Sequence, residues 1–580
     1  MKNLFRITGL VILVLLVVCS SCKKVYEDTP LGQQIPQSIA FDPNDSAGTY
    51  ALRFLLTTYA ESLPNNHNRV NGNYLDAASD DAISSQSGLP EVEKIATGAF
   101  NAVSANADNV WSKYYTAIRD ATVFSVLINQ VPLAERLPGG GLARPAYRSE
   151  ARFLRAFIYF ELVKRYGGVP LMGDTIRQVT DNIILPRNSF ADCISFIVNE
   201  CDNIKDSLRT AESINNTTYG RVTKGAAMAL KAKALLYAAS PLFNGGNIDP
   251  SNPLTGYTSG DANRWKLAAD AAKAIMDLGT YSLMPQFKDI FITQAAPVQN
   301  NTESIFWRQN GQNISVEASN SPVGYSSAGG NGVTSPTQDL VDAFPTIDGK
   351  SIADPSSGYD PNDPYSNRDP RLTNTIFYNG TLWLNRPVET FDGGLDKPGG
   401  TVQQTKTAYY MRKFLGNFES VSGGAVYANT VHDFIYFRYA EVLLNYAEAL
   451  NEFSGPSAEA IDAIRQLRKR AGILPGSDDS YGVASSLSKT ELRNVIQNER
   501  RIELAFEEHR FFDIRRWKIA EEVYGQPLRG MTIQRTSGGQ VSYNVVPVLT
   551  PVFRSPQMYL YPIPYNEVIK NPAMVQNPQW

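Results

Sequence analysis

The sequence predicts a mainly α-helical fold, in which tetratricopeptide-like helical hairpins form a scaffold around a large, irregular, loop-rich region. Three observations predict it. Amphipathic helical segments fill the chain on both sides of its middle. Alanine recurs at the positions where paired helices would pack closely. Between them, residues of about 293–430 are rich in Gly, Asn, Ser, Pro and Tyr and show little periodicity. No clean 34-residue repeat is present, so the hairpins are degenerate and interrupted by insertions.

The elements follow in order. Lys2 and Arg6 precede an apolar run from Leu10 to Val18, which is too short to span a bilayer and reads as a signal peptide, residues 1–21. Small Ser20 and Ser21 stand before Cys22, which makes Cys22 the expected site of lipid attachment; Cys19 follows bulky Val18 and fits less well. Residues 22–40 are polar and read as a lipid-anchored tether. A helical region is expected over 41–290. Asn109 to Val131 is its first strong helix. Tyr147 to Tyr166 follows, with Ala151, Leu154, Ile158 and Leu162 on one face and Gly167-Gly168 as the stop. Thr223 caps the Ala-rich run Lys224 to Ala239, and Arg264 to Leu278 is another helix. The rest, 291–580, divides into the loop-rich stretch 293–430, a helical stretch 431–520 and a Pro- and Tyr-rich tail 521–580. Within it, helices are expected at Arg438 to Phe453, from Pro456-Ser457 to Ala471-Gly472, and from the capping-box sequence Ser488–Glu491 through His509.

Composition excludes several classes. With 54 basic and 57 acidic side chains and no basic stripe, nucleic acid is not an expected partner. Four cysteines do not make a disulfide framework. Cys193 and Cys201 are eight apart on a helical stretch, so about 12 Å separates them, too far to bridge. The three histidines, His67, His432 and His509, form no zinc motif, and neither a metal nor any other cofactor is expected. Gly324-Tyr325-Ser326-Ser327-Ala328 fails as a nucleophile elbow at its last position. Phe344 stands where a phosphate-binding loop ending at Gly349-Lys350-Ser351 needs its first glycine. Asp354, Asp360, Asp363 and Asp369 read as turn formers rather than calcium ligands. Glu503 and Glu507, interleaved with Arg500, Arg501 and Arg510, read as a structural ion-pair network rather than a glycosidase pair.

Four stretches taken together carry a family resemblance. They are Glu150–Phe157 with Tyr166-Gly167-Gly168-Val169-Pro170-Leu171; Thr223–Ala227 through Ser240-Pro241-Leu242-Phe243; Arg438–Ala449; and Glu499–Leu504 with Phe511–Trp517. Asn367–Leu372 and Tyr561-Pro562-Ile563-Pro564 add to them. The chain resembles the SusD/RagB family, the starch-utilisation-type surface lipoproteins of Bacteroidota. That resemblance implies a SusD-like fold with an irregular ligand-binding half. It also implies non-catalytic capture of oligosaccharide nutrient at the outer-membrane surface. The implied partner is a SusC-type TonB-dependent transporter, to which ligand is delivered.

The family motifs are mainly scaffold, so the ligand-site candidates come from chemistry. Sugars are held by exposed aromatic faces with amides and carboxylates beside them. The loop 71–81 offers Asn73, Tyr74 and Asp81, and the middle region offers Trp307, Asn310, Gln312 and Tyr325. Trp307 follows Ile305-Phe306 and also fits a core position, while Trp111, Trp265 and Trp517 lie on helical faces and read as core. Asp80-Asp81 reads as a polar loop able to accept bonds from sugar hydroxyls. Peptide-nutrient binding on the same scaffold, a glycan-active hydrolase, and a purely structural lid are the competing readings.

Overall fold

The computed structural model describes residues 36–138, 140–177, 181–215, 217–292, 301–328, 330–399, 403–416 and 429–580. Cys22, the expected signal segment and most of the tether lie outside the described residues. No helix among the described residues is long and apolar enough to cross a membrane.

The scaffold is a stack of helices: α1 (Thr49–Ser62), α2 (Trp111–Leu127), α3 (Arg144–Tyr166), α4 (Phe190–Ile204), α5 (Lys224–Ala239), α6 (Asn263–Met276), α7 (Tyr439–Ser454), α8 (Ala458–Ala471), α9 (Lys489–Glu503) and α10 (Arg510–Arg516). From α1 to α8 each packs on the next, and α9 packs on α7. The contact between α6 and α7 is the informative one. More than 160 residues separate them in sequence, so the loop-rich stretch is an insertion between two halves of one helical stack.

The local causes match the chemistry of the sequence. The Thr223 hydroxyl accepts from the Ala226 amide and starts α5. Ser457 caps α8, and Gly472 ends it in the left-handed region. Ser488 and Glu491 form a full capping box on α9. Ala151, Leu154, Ile158 and Leu162 on α3 are all fully buried. Gly167 must be glycine: its φ is +76°, and an added Cβ would sit 2.3 Å from the Leu254 carbonyl oxygen. Trp111, Trp265 and Trp517 are buried, and Cys193 and Cys201 are free, buried and on one helix.

One expectation is corrected. The helix from Ser488 does not run through His509; it stops at Glu503. Asp76 takes the Phe506 amide at 2.9 Å, Phe506 and Glu508 adopt positive φ, and Lys413 binds the carbonyls of Glu503 and Ala505. Tertiary partners thus claim the backbone groups that another turn would need. The Pro- and Tyr-rich tail forms regular structure as well. It contains an antiparallel hairpin whose strands are numbered last among those described next.

Besides a short pair formed by Leu382–Trp383 and Arg386–Pro387, the strands are β1 (Ala82–Ser84), β2 (Ser304–Arg308), β3 (Thr334–Pro336), β4 (Ile376–Phe377), β5 (Tyr410–Met411), β6 (Phe434–Arg438), β7 (Leu528–Arg535) and β8 (Val541–Leu549). They pair β1–β3, β2–β6, β4–β5 and β7–β8, all antiparallel. One apolar core runs from Ala40 to Met574, and a smaller one lies among α7, α8 and α9.

Candidate functional site

A buried charge cluster fixes the position of β6, and β6 positions the site. Arg438 ends the strand. It donates to Glu507 at 2.7 and 2.8 Å, to Glu303 at 2.6 Å and to Glu503 at 2.7 Å. Arg371 joins Asp369, Glu499 and Glu503; Arg470 binds Glu303 and Glu503; Arg468 binds Glu499; Lys413 binds Glu507. Burial pushes the Glu503 carboxyl up, but Arg470, Arg438 and Arg371 outweigh it and hold it well below its ordinary range. Glu503 and Glu507 are therefore structural ions, as expected from their interleaved arginines.

β2 pairs with β6, placing Trp307 opposite Ile435, and the register shifts on both sides of Phe306. Such irregularities re-aim side chains. Ile305 and Phe306 face the core, while Trp307 and Arg308 are only half-buried. The Trp307 indole lies 5.1 Å from the Tyr219 ring. Its Nε1 is buried and has no hydrogen-bond partner among the described residues.

Around this aromatic pair lies a set of amides and a carboxylate. The Tyr219 hydroxyl donates to Asp433 at 2.7 Å, and the Asn310 backbone amide donates to the other Asp433 oxygen at 2.8 Å. Asn310 Nδ2 donates to the His432 carbonyl at 2.6 Å and to Asn65 at 3.3 Å. Burial pushes the Asp433 carboxyl up, and the bonds from Tyr219 and Asn310 oppose that. A cleft of about 490 Å³ opens beside them, lined by Tyr219, Trp307, Tyr281, Asn215, Glu212 and Asn301 among others. An aromatic wall with amides and carboxylates at its edge can stack on a sugar ring and bond its hydroxyls.

The other sequence candidates lie elsewhere. Gln312 is exposed on the loop beyond Asn310. Tyr74 is fully buried, stacks on Phe414 with centroids 5.6 Å apart, and shares a 2.6 Å hydrogen bond with His67. Burial, with His432 alongside, pulls His67 down to about 3, so its ring is neutral. Asn73 is buried and donates to Gln86 at 3.1 Å. Asp81 is buried against Arg501 at 2.7 Å, and Asp80 is paired with Arg501 and Arg510. Burial raises Asp80, but the two arginines outweigh it and hold its carboxyl below its ordinary range. Tyr325 is buried against Trp383, with the Arg386 guanidinium 3.7 Å over its ring. Tyr74 and Tyr325 thus present no open face for stacking, and Asp80-Asp81 is not a solvated loop. In each case a distant segment covers the residue. The Asp354 and Asp360 carboxylates accept from backbone amides two residues on, as turn formers do. Among the described residues, no group of three or more His, Cys, Asp and Glu is arranged to hold a metal.

Sequence reasoning missed Tyr219, Tyr281 and Asp433. Tyr219 carried a usable signal, since it sits in the turn-rich run Asn215–Gly220, similar in composition to the loop that suggested Asn310. Asp433 carried none.

Residues 290–580 match the model described as the SusD family. The chain belongs to the SusD family. Residues 52–236 of this SusD-family protein also match a model described as "Starch-binding associating with outer membrane". It is similar to SusD-like protein P2 of Formosa agariphila, with 27% identity over 437 residues, covering 74% of this chain and 73% of that one. A SusD-like protein of Bacteroides ovatus is 25% identical, covering 72% and 66%. Among solved structures, a SusD-like protein of Bacteroides fragilis superposes with a TM-score of 0.74 at 26% identity, covering 94% of this chain and all of that one. A laminarin binding SusD-like protein shares the fold, with a TM-score of 0.62 at 19% identity, covering 92% and 99%.

Proposed function

We propose that this SusD-family protein captures oligosaccharide at the outer-membrane surface without cleaving it, and delivers it to a SusC-type TonB-dependent transporter. The observation that carries the proposal is the Trp307–Tyr219 pair, flanked by Asn310 and Asp433 and opening on a cleft of sugar-binding composition. The family match supports the glycan class and the outer-membrane association. Attachment through a lipid on Cys22 rests on the signal sequence. Trp307 and Asn310 remain the proposed contacts from the sequence, with Tyr219 and Tyr281 added, and Gln312 stands exposed on the loop beyond Asn310. Asn73, Tyr74, Asp81 and Tyr325 are better read as supports of the surrounding loops.

The test is calorimetric titration against starch-type, laminarin-type and other oligosaccharides, with each mixture examined for breakdown products. Saturable binding without products, weakened about tenfold or more by Trp307→Ala, is expected. Breakdown products would replace capture with hydrolysis. Binding untouched by Trp307→Ala would move the site away from this cleft.

A further inference from the structure

A second groove shares no lining residue with the Trp307 cleft. It has a volume of about 560 Å³ and runs between α2, the segment after Pro170 and the C-terminal helix Tyr565–Lys570. Its size is that of a small-molecule site. α2 contributes Trp111, Tyr115, Ile118 and Arg119, whose spacing puts them on one helical face. Met172, Ile176, Ile183 and Leu185 form the facing wall, and Met574 closes one end.

Exposed aliphatic residues stand at or next in sequence to this lining. Ile183, Ile184, Ile569 and Val575 are 37%, 48%, 59% and 56% exposed. Ile183 lines the groove itself, and the other three are next in sequence to lining residues Ile183, Lys570 and Met574. The rim is cationic. Arg119, Arg177 and Lys570 stand against one lining carboxylate, Glu567. Arg119 has Asp120 at 3.7 Å, whereas Arg177 and Lys570 have no carboxylate partner among the described residues. Arg177 Nε is buried there without a hydrogen-bond partner.

We propose that this groove binds an anionic amphiphile through one of its acyl chains. Its acyl tail lies along Ile118, Ile176, Ile183 and Met574, and its anionic head sits between Arg177 and Lys570. An apolar channel ending in cations that have no carboxylate partner among the described residues matches that ligand at both ends. A glycan would leave the aliphatic wall unmatched, and a neutral apolar segment would leave the buried Arg177 Nε without a partner. The same chemistry is offered by a free fatty acid and by an anionic lipid at a membrane surface.

The experiment uses the full chain with Cys22→Ser, so that no acyl group of its own competes, in detergent-free buffer. Dodecanoate, dodecanol and butyrate are titrated by calorimetry, and vesicles of phosphatidylcholine with and without phosphatidylglycerol are tested by sedimentation. Saturable binding of dodecanoate, at least tenfold tighter than dodecanol and with butyrate silent, is expected for a free fatty acid. Capture on phosphatidylglycerol vesicles alone identifies the membrane source. In either case Arg177→Glu with Lys570→Glu lowers affinity at least tenfold, with melting temperature and glycan binding unchanged. Ile183→Asp, at an exposed position, lowers it as a second variant. Equal binding of dodecanol, undiminished binding by the double variant, or silence toward both dodecanoate and vesicles overturns the proposal.

Discussion

Replacing Arg438 with methionine tests the link between the buried charges and the site. The cluster balances among the described residues: Glu303, Asp369, Glu499, Glu503 and Glu507 face Arg371, Lys413, Arg438, Arg468 and Arg470. Methionine fills much of the space but removes one positive charge and five hydrogen bonds, including one to the Glu503 carbonyl. Each carboxylate that Arg438 touches keeps another cation: Arg470 for Glu303, Arg371 and Arg470 for Glu503, and Lys413 for Glu507. One net negative charge is therefore left spread over a buried group. A single charge pair at this range contributes ~4 kcal/mol at an effective dielectric of about 20. Breaking a buried pair from one side costs about 3–5 kcal/mol. Urea unfolding followed by tryptophan fluorescence, wild type beside variant, is the assay. Arg438→Lys keeps the charge but loses the fork, and is expected to cost about 1–3 kcal/mol. A loss below ~1 kcal/mol for Arg438→Met, or a gain, would refute the reasoning, because the carboxylates would then not depend on this arginine.

Three further outcomes are expected. Tyr74→Ala should cost about 3–5 kcal/mol of stability, as a buried aromatic does, while the folded fraction keeps its glycan affinity within about twofold; a selective loss of affinity would return Tyr74 to the ligand site. Burial, together with a hydrogen bond donated by the protonated Asp120 carboxyl to Glu61 and the negative charge of Glu61, lifts Asp120 to about 7, against ~3.9 in an unfolded chain. The folded form then binds the extra proton, so this stability is present below about pH 4 and is lost as pH rises through 7. Discounted for partial exposure, the effect is ~1–2 kcal/mol. Asp120→Asn should flatten that part of the melting-temperature profile, and an unchanged profile would refute a raised Asp120 carboxyl. Gly167→Ala, which forces a Cβ to 2.3 Å from the Leu254 carbonyl oxygen at positive φ, should cost ~2–4 kcal/mol by thermal melting; a loss below ~1 kcal/mol would show that this turn relaxes.

The sequence by itself determined most of the scaffold helices, with their caps and buried faces, though not where the helix from Ser488 ends. Those rest on contacts within one turn, such as Ser488 with Glu491, or on a periodicity that any packed helix must show. It also identified the Arg–Glu interleaving of Glu499–Arg510 as structural, because opposite charges so dense on one segment neutralise one another. Tertiary structure alone decided which polar and aromatic residues face solvent. Tyr74 and Trp307 are similar as letters in loop or strand sequence. One is enclosed by His67, Phe414 and Phe506, and the other is turned outward by the irregular pairing of β2 with β6. Asp81 is claimed by Arg501, 420 residues away, and Tyr219 meets Asp433 across 214. Exposure is a property of what lands on a residue from far along the chain, and no local pattern records that.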